Sequence, residues 1–79
     1  MIKNIGVECK FEVDGTVRIY RIRLDQSWIS VEQGRQWVDQ IGRHVLILLP
    51  EGDVYEVCLR PDTMTWQLTS PEDRLTRLV

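Results

Sequence analysis

His44 is the only histidine in the chain, and Cys9 and Cys58 are its only cysteines. These three residues bound the chemistry on offer. A nucleophilic site needs a Ser or Cys held beside a base, and no spacing in this sequence places one next to His44. His44 follows a predicted helix end by two residues, where the negative end of the helix would favour its protonated form, and it reads as a hydrogen-bonded structural imidazole. The cysteines fit neither a disulfide framework nor metal-ligand spacing; they read as small packing residues of a cytoplasmic protein. Asp53 and Asp62 stand in turn sequences, where aspartate serves local hydrogen bonding. The five glycines are too scattered to build a phosphate-binding loop. The expectation is a non-enzymatic protein with no catalytic residue, cofactor or metal.

Arginine is the more suggestive residue type. Arg18, Arg21 and Arg23 crowd one short segment, and Arg43 and Arg60 are expected near one another at the end of a later hairpin. Beside Tyr20 or Trp28 such a stripe is suited to track a nucleic-acid backbone. Glu8, Glu12, Asp25 and Glu56 interleave with it, however, and a net charge of −2 works against phosphate-driven binding. A salt-bridged, solvated face is therefore the preferred reading, with nucleic-acid binding as the alternative. Trp37 and Trp66 fall on apolar faces by pattern. Trp28 lies in a connector and is a candidate surface anchor, with core packing as the preferred reading.

The elements that must position these residues are organised around Ser30–Leu49. Ser30 and Gln33 have capping-box spacing. At about 100° per residue, Val31, Gly34, Trp37, Val38 and Ile41 share an arc of roughly 120°, with polar residues filling the remainder. The pattern predicts an amphipathic helix over 31–41, stopped by Gly42, with Gly34 as a close-packing glycine. His44–Leu49 follows as a nearly continuous apolar strand.

Ahead of the helix, Ile5–Val13 alternates strictly, and Asp14-Gly15 supplies a two-residue hairpin turn. That turn sets Cys9 opposite Tyr20 and Glu8 opposite Arg21, and in this register the returning strand keeps its alternation through Tyr20. After the helix, a turn with Glu51-Gly52 at its tip pairs Leu48 with Tyr55, Leu46 with Val57 and His44 with Leu59. A further turn at Arg60–Thr63 brings back Met64, Trp66 and Leu68, completing a three-stranded meander. Ser70-Pro71-Glu72-Asp73 has the residues of a helix start, predicting a short C-terminal helix with Leu75, Leu78 and Val79 available to pack. The fold class expected is α+β, in the order ββαβββ: an antiparallel sheet packed on one helix, with strand order left open.

Seventy-nine residues make one domain, 1–79, and a domain this small buries only about 60% of its unfolded surface. Association would help it. The sequence leaves one apolar face unassigned: Val45, Ile47, Leu49 and Val54, joined by Val17 and Ile19 if the first hairpin extends the sheet. Either the first hairpin folds over this face and closes a small barrel-like core, or another chain covers it. The functional expectation is a small protein-interaction module, an adaptor, subunit or inhibitor able to form a homodimer, with Trp28 as an added anchor. No run reaches the roughly 18 apolar residues of a membrane span.

Overall fold

The structure, a computed structural model, describes residues 2–69. The predicted C-terminal helix lies outside them. Seven strands make one antiparallel sheet: β1 (Ile2–Phe11), β2 (Val17–Leu24), β3 (Ser27–Ser30), β4 (Glu32–Val38), β5 (Arg43–Leu48), β6 (Val54–Arg60) and β7 (Thr65–Thr69). Their order across the sheet is β3-β2-β1-β7-β6-β5-β4, and it curls into a half-barrel. Its two edge strands, β3 and β4, are consecutive in the chain with only Val31 between them. The α+β expectation is therefore corrected to all-β. Among the described residues there is no helix, and residues 31–41 form strand β4 and the turn that follows it.

The apparent helical period has a specific origin. Gln33 pairs with Ile47 and Gln36 with Val45, and the register shifts between them. That bulge puts two residues three apart on one face of a strand, a spacing normally read as helical. Gly34 lies at the bulge, with no side chain packed closely against it: a Cβ there would sit 3.6 Å from Leu46, an ordinary contact. Ser30 is exposed near the end of β3 and caps nothing helical. Gly42 matters for another reason, since a Cβ there would fall 2.0 Å from the Leu59 carbonyl oxygen.

Loop length accounts for the register differences. Glu12 N–H donates to the Thr16 carbonyl at 2.8 Å, so the first hairpin turns through Val13, Asp14 and Gly15 rather than through two residues. Gly15 takes a φ of 89°, the left-handed position of a three-residue loop. The second hairpin repeats this: Leu49 N–H donates to Asp53 O at 2.9 Å, and Gly52 has φ 105°. Leu48 therefore faces Val54, Leu46 faces Glu56 and His44 faces Cys58, one residue from the expected pairing. A one-residue slip moves a partner strand's side chains to the other face. The mirror-image two-residue turn sits instead at Asp25-Gln26, both at positive φ. In β2 the alternation does slip at Tyr20: Cys9 faces Ile19 but Glu8 faces Arg21, so Tyr20 is the extra residue of a β-bulge. The expected Glu8–Arg21 pair is present and two-pronged, at 3.1 and 2.6 Å.

The meander over 44–68 exists as β5, β6 and β7, and the first hairpin as β1 and β2. Curling brings the inward residues of both together. Val17, Ile19 and Ile22 of β2 meet Val45, Ile47 and Val57 in one cluster, each at most 3% exposed. The first hairpin thus closes the core, which is one of the two arrangements the sequence allowed.

Candidate functional site

Every neighbouring pair in the sheet is antiparallel and β4 continues in the direction of β3, so loops 12–16, 39–42 and 61–64 gather at one end of the half-barrel, and loops 25–26 and 50–53 at the other. Contacts agree with this placement. Gly42 lies against Leu59 and Pro61, and the Arg43 charge acts on Asp14. Five of the largest exposed apolar side chains stand at that first end: Val13 (109%), Met64 (71%), Val38 (61%), Phe11 (57%) and Ile41 (47%). The opposite loops carry Asp25, Glu51 and Asp53.

An aspartate braces each loop of this apolar rim. Asp14 Oδ1 accepts the Thr16 N–H at 3.0 Å and the Thr16 hydroxyl at 2.7 Å, and these bonds hold its carboxyl below the usual carboxylate range. Asp39 Oδ1 accepts the Ile41 and Gly42 amides at 2.8 and 3.2 Å. Asp62 accepts the Thr63 N–H at 3.0 Å and an Arg60 N–H at 3.1 Å. Met64 N–H donates to Arg60 O at 2.7 Å and Met64 adopts φ 56°, a left-handed conformation uncommon for its type. The apolar tips are presented on loops whose backbones are already fixed.

The one histidine sits at the centre of a polar cluster on the outer face of β4, β5 and β6. His44 Nδ1 lies 2.7 Å from Glu56 Oε2, and Nε2 lies 2.8 Å from Asp39 Oδ1. The Trp37 ring stacks on the imidazole with centroids 5.2 Å apart and planes within 8°, and the Arg35 guanidinium is 4.9 Å from the Trp37 centroid. The hydrogen bond from His44 is the first cause holding the Asp39 carboxyl below its usual range. Cys58 Sγ is 3.9 Å from Nε2, a nucleophile beside a base that no sequence spacing showed. Both ring nitrogens also lie within hydrogen-bond distance of carboxylate oxygens. Cys58 is also 4% exposed. The arrangement ties the β4–β5 turn to β5 and β6. Burial pushes the Cys9 thiol up, as for an inert packing residue.

The residues nominated for an interface separate into two sets. Val45, Ile47, Leu49, Val17 and Ile19 face the core and are buried, whereas Val54 and Trp28 are exposed near the end with the acidic loops. The structure thus assigns the surplus apolar face to the protein's own interior. Arg18, Arg21 and Arg23 are all exposed on β2, with Tyr20 and Trp28 exposed nearby. Arg21 is engaged by Glu8 and lies 5.5 Å from the Trp28 ring centroid. Arg43 and Arg60 are elsewhere: Arg43 donates to Gln36 Oε1 at 2.9 Å and Arg60 pairs with Asp62. The five arginines do not form one stripe.

No protein-family model, curated protein or solved structure matches this chain. Its geometry alone carries the functional reading. The rim residues escaped sequence reasoning because Phe11, Val13, Val38 and Ile41 all fitted apolar faces of a presumed hairpin and helix. The signal that would have found them is an apolar residue inside a polar turn, as in Val13-Asp14-Gly15, Ile41-Gly42 and Thr63-Met64.

Proposed function

We propose that this protein is a small non-enzymatic interaction module, an adaptor, subunit or stoichiometric inhibitor, that engages protein partners through its apolar rim and self-associates there. The observation that carries this reading is the placement of Val13, Ile41 and Met64 on three loops at one end, with Phe11 and Val38 at the strand ends that lead into them. Clustered exposed apolar side chains on a small domain usually mark an interaction surface. Each such side chain fully buried contributes about 1.5–3 kcal/mol, and braced loops lose little further freedom on binding. A cytoplasmic location fits two cysteines outside any disulfide.

Light scattering over roughly 1–100 μM tests the reading, since mass action makes a weak dimer concentration-dependent. The expected result is a mass rising toward a dimer for the native chain and a constant monomer mass for Val13→Asp with Met64→Asp. Equal masses for the two proteins at every concentration would overturn self-association through the rim.

Nucleic-acid binding on β2 is the second reading, supported by Arg18 and Arg23 beside exposed Tyr20 and Trp28. The Glu8–Arg21 pair and the proximity of Arg21 to Trp28 reduce what that face has to offer. Binding to a short oligonucleotide that weakens with salt and with Arg18→Ala plus Arg23→Ala would support it; no binding at low salt would remove it.

A further inference from the structure

β2 has one edge that no strand fills. It pairs with β1 along most of its length but with β3 only over Arg21–Leu24, and Val31 N–H donates to the Tyr20 carbonyl at 3.2 Å, so the other edge of Val17–Ile19 lacks a neighbouring strand. Two side chains take the place of one. Gln33 Oε1 accepts the Ile19 N–H at 2.8 Å and Gln36 Oε1 accepts the Val17 N–H at 3.1 Å. Their Nε2 groups both donate to the Val17 carbonyl, at 2.9 and 3.0 Å. Residues 17 and 19 alternate, as do the backbone groups an added strand would meet. The glutamine amides reproduce part of a missing ladder.

We infer that this gap between β2 and β4 receives an extended peptide bearing acidic side chains, taken up as an added strand on β2. A cleft of about 470 Å³ already opens there, lined by Lys10, Glu12, Thr16, Arg18, Gly34 and the two glutamines among others. Gly34 contributes no side chain to obstruct it. Neighbouring strands stand about 4.8 Å apart, so an added strand needs about two such steps between β2 and β4. The glutamine side chains now bridge the two strands, so the peptide enters by swinging them out and opening the sheet about Val31, the bend between β3 and β4, with loss of the Val31 N–H bond to the Tyr20 carbonyl. Lys10 and Arg18 line the cleft and Arg43 reaches Gln36 beside it; Glu12 in the lining is already paired by Lys10 at 3.4 Å, and the Arg43 charge acts on Asp14 beyond it, which leaves Arg18 as the surplus cation. The excess is positive, which selects acidic side chains. Backbone bonds to the peptide replace side-chain bonds to β2 nearly evenly, so the glutamines act as a built-in competitor.

The test uses a fluorescein-labelled peptide of alternating Thr and Glu, with anisotropy for affinity and amide chemical shifts for location. Saturable binding that moves the Val17 and Ile19 amides is expected. Gln36→Ala should tighten it about tenfold by removing the competitor, and Arg18→Glu should weaken it about tenfold. The same peptide N-methylated at alternate residues, which lacks the donors a strand needs, should not bind the native protein. This last comparison needs no variant to fold. Absence of binding to both the native protein and Gln36→Ala, or equal binding of the N-methylated peptide, would overturn the inference. Val13→Asp with Met64→Asp should bind the peptide as the native chain does, which separates this site from the rim.

Discussion

Asp39 Oδ1 lies 2.8 Å from His44 Nε2 while also accepting the Ile41 and Gly42 amides, so one carboxylate oxygen both shapes the β4–β5 turn and anchors the outer-face imidazole. Glu56 holds the other ring nitrogen from β6. A loop of the apolar rim is thereby fastened to the sheet beneath it through a 2%-exposed side chain.

Replacing His44 by Ala removes that fastening and leaves a void beside Trp37. The combined loss of packing and of two charged hydrogen-bond partners is expected to cost about 2–4 kcal/mol, read as a lowered urea midpoint. The loop should loosen as well, with faster amide exchange at Ile41 and Gly42. An unchanged midpoint would contradict the bracing role.

Acid should weaken the fold through three carboxylates. His44 holds Asp39 below the ordinary range, Thr16 does so for Asp14, and Arg21 for Glu8. A carboxylate with a lower pKa in the folded than in the unfolded chain adds stability that is complete above the unfolded value, about 4, and is lost as pH falls through the folded value. The melting temperature should therefore hold between about pH 7 and 5 and fall below about pH 4. Asp39→Asn should melt below the native protein at neutral pH, with the difference shrinking toward pH 2. A difference independent of pH would point to geometry rather than charge.

Two glycines separate the observed strand from the helix that periodicity suggests. Gly42→Ala would drive a Cβ to 2.0 Å from the Leu59 carbonyl oxygen and 3.0 Å from Pro61, and is expected to cost at least about 3 kcal/mol. Gly34→Ala meets only Leu46 at 3.6 Å and should change stability by less than about 1 kcal/mol. Were residues 31–41 helical, Ala at 34 would stabilise by about 1 kcal/mol. Chemical denaturation of both variants distinguishes these outcomes.

Much of the sheet is legible in the sequence, because alternation survives wherever a strand has one face in the core. Ile5, Val7 and Cys9 show it in β1, and Val45 and Ile47 point inward within β5 with Leu49 just past its end. Gln33 and Gln36 defeat it. Their task is to satisfy the backbone of Val17 and Ile19 across a gap, a long-range requirement that leaves two polar residues turned toward the barrel and imitates a helical face. Loop length was equally hidden, since Asp14-Gly15 suits both a two-residue turn and the last positions of a three-residue loop. The rim follows from that choice: a longer loop exposes Val13, and ending β4 at Val38 exposes Val38 and Ile41. His44 and Cys58 become neighbours only through the register of β5 and β6, which no local spacing records.

Amide chemical shifts across a dilution series from about 1 mM to 20 μM report directly on where copies of this chain meet. The rim account predicts shifts that move with concentration at Val13, Gly15, Val38, Ile41 and Met64, and stationary shifts at Asp25, Trp28, Glu51 and Val54. Movement confined to the latter group, or none at any residue, would contradict it.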